Sequence, residues 1–108
     1  MNPRIESLEK MLDGPRDGAL LRFSLGNEYL KAGEPARAAA CFQTAVERDA
    51  HYSAAWKSLG KALVEAGDAA AALSAYERGI VVAGERGDIQ AVKEMTVFAR
   101  RLRQAGTA

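Results

Sequence analysis

The 108-residue sequence is 48% hydrophobic and 27% charged, and its 15 basic and 14 acidic side chains give a formal net charge of +1, so no global field draws it to nucleic acid or an anionic membrane. No apolar run approaches the roughly 18 residues that cross a bilayer, and Met1-Asn2-Pro3-Arg4 opens on a charged helical pattern rather than a signal sequence, which gives a cytoplasmic protein as the expectation. One cysteine, Cys41, excludes a disulfide framework and a thiolate metal cluster and reads as a small buried apolar residue beside Phe42.

Asn2 suits an N-cap and Pro3 the first helical position, after which Ile5, Leu8, Met11 and Leu12 recur at helical spacing until Gly14-Pro15. This predicts a short amphipathic helix within residues 1–16. Asp17 is expected to cap the next helix, which carries Leu21, Leu25, Tyr29 and Ala32 on one face and stops at Gly33. Pro35 opens a partner helix to about Asp49 with Ala38, Phe42, Ala45 and Val46 inward. A second pair follows: Trp56, Leu59, Leu63 and Ala66 lead up to Gly67, then Asp68 caps a helix with Ala72, Leu73, Tyr76 and Ile80 inward. Gly84-Glu85-Arg86-Gly87 breaks the chain. Asp88 then caps a last helix to about Gln104, with Ile89, Val92, Met95, Thr96, Ala99 and Leu102 on one side and Gln90, Glu94, Val97 and Arg101 on a polar back. Arg100, Arg101 and Arg103 complement the dipole at its end.

Gly26 and Gly60 are 34 residues apart, and the same step takes Leu25 to Leu59, Tyr29 to Leu63, Gly33 to Gly67, Ala38 to Ala72 and Phe42 to Tyr76. A fixed period of this length marks stacked units that bury their apolar faces on one another. A glycine inside a helix costs about 1 kcal/mol relative to alanine, so its recurrence at one register implies a close helix crossing. The second copy, Trp56-x2-Leu59-Gly60-x2-Leu63 followed by Ala72-x3-Tyr76, resembles the tetratricopeptide repeat. Arg22 stands where that family's opening large residue would be, and Ala50 and Gly84 stand where its terminal proline would be. Continued past Gly84, the 34-residue step puts Gln90, Lys93 and Val97 on the core stripe, so the last helix reads as a rotated cap. Stepping backwards aligns Leu8 with Phe42 and Met11 with Ala45, as in a remnant second helix of an earlier repeat.

The expected architecture is therefore all-α, a tetratricopeptide-type α-solenoid of stacked antiparallel helix pairs with helical caps. It is a single domain over 1–108, divided into a capping helix at 1–16, repeats at 19–52 and 53–86, and a second capping helix at 87–105.

Catalytic constellations are absent from the sequence. His51, the only histidine, reads as a solvated turn residue without partners at catalytic or metal-binding spacing. The GKALVEAG segment lacks the glycine spacing and the strand of a phosphate loop. The arginines near the end have no interleaved aromatics. The expectation is a non-enzyme without metal or cofactor.

The faces of the first helices that point away from Leu25 and Leu59 are the candidate binding surface. They carry Leu20, Phe23, Asn27, Leu30 and Lys31 on one helix, and Lys57, Lys61 and Val64 on the other with Ala54 and Glu65. The resemblance implies that such columns line a concave groove for an extended or helical peptide. Large apolar residues opposite a core face call for a cover: a partner protein or peptide, the chain's own first helix, or a second copy in a monomer–dimer equilibrium sealed through Phe23, Leu30 or Phe98. Lys31, Lys57 and Lys61 suit acidic groups on a partner, and Lys57 and Lys61 sit one turn apart with no acidic neighbour between them at that spacing. The family's carboxylate clamp for chaperone tails is not matched: Asn27 fills the asparagine column, but Phe23 replaces the lysine before it and Ser58 the second asparagine.

Overall fold

In the computed structural model, residues 2–106 are described; Met1, Thr107 and Ala108, which fall within the expected 1–16 segment and 1–108 domain, lie outside them. Six helices are present among the described residues: α1 (Pro3–Glu9), α2 (Ala19–Lys31), α3 (Pro35–Arg48), α4 (Ser53–Glu65), α5 (Ala69–Glu85) and α6 (Ile89–Gly106). Each packs on the next in chain order, α4 also meets α6, and α2 meets α4. The result is an elongated stack of 42 × 30 × 19 Å, as nearest-neighbour packing of repeats dictates.

The helix starts follow from local chemistry. The Asn2 side chain accepts from the backbone N–H groups of Arg4 and Ile5 at 3.0 and 3.3 Å, and Asp68 and Asp88 each accept from the backbone three residues on at 3.1 Å. Gly33 and Gly67 end α2 and α4 with φ of 75° and 86°, a left-handed turn that other residues resist. Ala32 and Ala66, expected on the core stripes, are the exposed C-caps just before these turns.

Between α1 and α2 the structure departs from expectation. Helix α1 ends at Glu9, and the chain continues in tight turns through Asp13, so Met11 is 38% exposed instead of lying on the apolar stripe. Ile5 alone is buried, with Leu8 and Leu12 partly so. Tyr29 donates its hydroxyl to Glu9 at 2.9 Å and so ties α1 to α2.

Asp17 is not a helix cap; Gly18 takes that position without any side-chain bond. The Asp17 carboxylate, 4% exposed, accepts from Arg22 Nε and Nη2 at 2.9 and 2.8 Å and from the Asp13 amide at 2.7 Å, and pairs with Arg48 Nη1 at 2.8 Å. Such bidentate geometry explains why arginine stands at position 22 in place of a large apolar side chain. The Arg22 bonds, then the Asp13 amide, hold the Asp17 carboxyl far below the usual carboxylate range. A depressed carboxylate stabilises the fold above the ordinary aspartate value near 3.8, and the contribution declines as pH falls toward the folded value. We expect Asp17→Asn to lower the melting temperature at pH 7, with the gap from the parent narrowing steadily below pH ~4. Thermal scans across that range check it, and a gap independent of pH would show the ion pairs to be idle.

Two apolar clusters share the interior. The larger joins Leu25, Tyr29, Phe42, Val46, Ala55 and Leu59 with Phe23, Tyr52 and Trp56 against it. The smaller, at the α5–α6 end, holds Tyr76, Ala83, Ala91, Met95 and Ala99 with Leu73, Ile80, Phe98 and Leu102. A Cβ added to Gly26 would lie 2.6 Å from the Phe42 ring, and one on Gly60 would fall against the Tyr76 ring. This is the steric reason for glycine at both registers.

Helix α6 follows the first helices of the repeats at a step of 36 rather than 34 residues. Ala55 and Leu59 (0% and 2% exposed) correspond to Ala91 and Met95 (8% and 0%), and Gly60 to Thr96. The offset arises because α5 has 17 residues where α3 has 14, while the following connection is one residue shorter. The helix runs through Gly84 and Glu85, where a break was expected. Ile89, expected on the buried stripe, is accordingly 59% exposed.

Candidate functional site

A groove of about 580 Å³ lies between α4 and α6, with Tyr76 of α5 in its floor. Helix α4 contributes Lys57, Ser58, Lys61, Val64 and Glu65; α6 contributes Glu94, Phe98, Arg101 and Leu102. The floor is apolar: the Tyr76 and Phe98 rings tilt on one another at 5.4 Å between centroids, with Leu102 beside them and the half-exposed Val64 above. Burial, and then the nearby Glu65 carboxylate, push the Tyr76 hydroxyl above its ordinary pKa, so it stays a protonated donor at neutral pH.

Three cations line the rim. Lys57 reaches across the mouth to Glu94 at 3.3 Å, with both side chains more than a third exposed. Among the described residues, Lys61 and Arg101 make no ion pair. A solvated pair such as Lys57–Glu94 contributes about 0–1 kcal/mol, so it can open to another carboxylate at little cost. The groove therefore combines an apolar base with donors suited to acidic groups.

The candidate residues read from the sequence fall in separate places. Lys57, Lys61 and Val64 come together in this groove. Asn27 and Lys31 lie in a shallower recess between α1 and α2 with Ser7, Ser24 and Glu28, where Lys31 pairs with Glu28 at 3.3 Å. Leu20, 69% exposed, borders a third recess with Tyr52 and Arg86.

Phe23 and Leu30, expected on an open wall, are partly buried against the larger cluster. Phe23 is sandwiched by Phe42 at 5.7 Å and Tyr52 at 4.9 Å, because the turn entering α4 folds Tyr52 over it. Phe23 thus packs between the repeats, with only part of its side chain left exposed.

Glu94 and Arg101, expected on a polar back, face the groove, and Lys57 does have an acidic partner, supplied by another helix. The signal that would have placed them is the 36-residue step, which carries Ser58 to Glu94 and Glu65 to Arg101. Cys41 is a buried free thiol whose pKa burial raises, which leaves it protonated and unreactive at neutral pH. His51 is exposed, and its carbonyl accepts from Arg86 at 3.0 Å. No cluster of three or more metal-binding side chains occurs among the described residues. None of their helices is long and apolar enough to cross a membrane.

Comparison with known proteins adds family to geometry. A sequence model of the tetratricopeptide repeat matches residues 23–88. A TPR repeat-containing protein of Pseudomonas aeruginosa is 56% identical over 103 residues, covering 95% of this chain and 98% of that protein. A protein of Bordetella parapertussis with a known solution structure is 44% identical with a TM-score of 0.80, covering 97% of this chain and 91% of that one. A tetratricopeptide repeat domain protein of Salinibacter ruber, also solved by NMR, is 30% identical with a TM-score of 0.73, covering 83% and 90%.

Proposed function

The chain belongs to the tetratricopeptide repeat family, whose repeats mediate protein–protein interaction, and from that premise we propose that it is a non-catalytic adaptor that seats a partner's peptide segment between α4 and α6. The observation that carries this reading is the groove's composition: an aromatic floor of Tyr76 and Phe98 under a rim of Lys57, Lys61 and Arg101. An apolar side chain of the ligand packs on the two rings, and acidic groups flanking it meet Lys61 and Arg101. A carboxylate that displaces Glu94 also engages Lys57. Asn27 and Lys31 hold the registers of Lys61 and Glu65 one repeat earlier but line the α1–α2 recess, so they would contact only a ligand long enough to run on past α4.

Two exposed cations suffice for a test that spares the fold. Lys61→Glu combined with Arg101→Glu is expected to keep the melting temperature while weakening capture of the principal lysate partner at least about tenfold, or about 1.4 kcal/mol. Because rim charges act mainly through association rate, the slowing of that rate by salt should be lost or reversed as well. Affinity capture with mass spectrometry, followed by association kinetics at several salt concentrations, reads both. Undiminished capture with unchanged salt dependence would remove this groove from the interaction.

A further inference from the structure

In the repeats, each first helix is covered on one side by its own second helix: α2 by α3 and α4 by α5. Helix α6 follows the same burial register, but among the described elements it touches only α5 and α4. Among the described elements, none packs on the side where a further helix would lie. That side carries Ile89, Val92, Lys93, Thr96, Val97 and Arg100 at three- and four-residue spacing, so they share one face. Ile89 is 59% exposed and Val97 37%, and Val92 and Thr96 are only partly covered. Lys93 and Arg100 make no ion pair among the described residues, and Arg103 beside them is held by Glu77 of α5 at 2.9 Å. No acidic side chain of α6 lies on this face, since Glu94 points to the groove.

We propose that this outer face of α6, apart from the groove, is a docking surface for an amphipathic helix of a partner protein that carries acidic residues along its flanks. The apolar stripe of such a helix covers Ile89, Val92 and Val97, and its carboxylates meet Lys93 and Arg100. Thr96 sets the fit. At the equivalent registers Gly26 and Gly60 lie under the rings of Phe42 and Tyr76, where a Cβ would clash. Threonine here leaves no room for an aromatic ring, so the incoming helix presents a small residue over it. That condition excludes helices like α3 and α5, and the basic face repels its own copy. Both features direct the surface toward a different partner rather than toward stacking of identical chains.

The test uses the full chain and a synthetic amphipathic peptide of about five helical turns, with leucine and alanine along one stripe and glutamate on both flanks, beside a lysine-flanked counterpart. The glutamate peptide is expected to bind with amide shift changes at Val92, Lys93 and Thr96, and the lysine peptide at least about tenfold more weakly. Lys93→Glu with Arg100→Glu should invert that preference, Ile89→Ser with Val92→Ser should abolish binding, and Lys61→Glu with Arg101→Glu in the groove should leave it unchanged. No binding of the glutamate peptide, indifference to flank charge, or loss only with the groove variant would each overturn the proposal. So would a dimer in sedimentation that dissociates on Lys93→Glu and Arg100→Glu, since the occupant would then be a second copy.

Discussion

Replacing Gly60 by leucine is expected to lower stability by about 3 kcal/mol or more, at the upper end of overpacking effects. A Cβ at this position falls against the Tyr76 ring. Tyr76 is 4% exposed and the Phe98 ring sits against it at 5.4 Å between centroids, so its ring can yield only by giving up that contact and tilting toward the groove. The gain of roughly 1 kcal/mol from removing a helical glycine is too small to offset the clash. At about 4–8 °C per kcal/mol for a chain of this size, the melting temperature should drop by more than about 12 °C. Gly84→Ala is the matched control, because a Cβ there meets nothing within 4 Å, and it should be neutral or slightly stabilising. Circular dichroism melts of the two variants decide the matter. A Gly60→Leu protein that melts within about 4 °C of the parent would show that α4 and α5 do not cross as described.

Removal of residues 88–108 should leave a chain without a sharp thermal transition. The loss takes away Met95 and Ala99, both 0% exposed, together with Ala91 and the Phe98 ring, leaving Tyr76, Ile80 and Ala83 uncovered. Burial of one large apolar side chain contributes about 1.5–3 kcal/mol. Losing the Met95 and Phe98 contacts and baring Tyr76 thus removes on the order of 5 kcal/mol, comparable with the whole stability of a small domain. The truncated chain should also bind a hydrophobic dye and aggregate at micromolar concentration. A soluble monomer with a cooperative melt would reduce α6 to an appendage and move any binding role elsewhere.

What could be read in advance was whatever one helix or one repeat encodes by itself. The paired glycines at positions 26 and 60, the caps at Asn2, Asp68 and Asp88, and the stops at Gly33 and Gly67 are local rules, and the structure obeys them. The failures involve relations between elements. A helical projection places Phe23 opposite Leu25, but no projection of α2 contains Tyr52, which arrives from the turn before α4. Asp17 satisfies every local criterion for an N-cap, yet two guanidinium groups from α2 and α3 compete for its oxygens and win. The register of α6 shifts by two residues, because α5 runs three residues longer than α3 through a glycine that ordinarily signals a stop and the next connection is one residue shorter, and Glu94 and Arg101 are thereby turned toward the groove.

The two apolar clusters adjoin along α5, where Ala75 belongs to one and Tyr76 to the other. The cluster on the α6 side holds fewer buried side chains than the other, and a region with fewer buried apolar contacts opens at lower free energy. At the α6 end, Lys57–Glu94 is the ion pair that bridges α4 and α6 among the described residues. A ligand lying across the groove clasps both helices, so occupancy and local order at this end of the protein become one equilibrium.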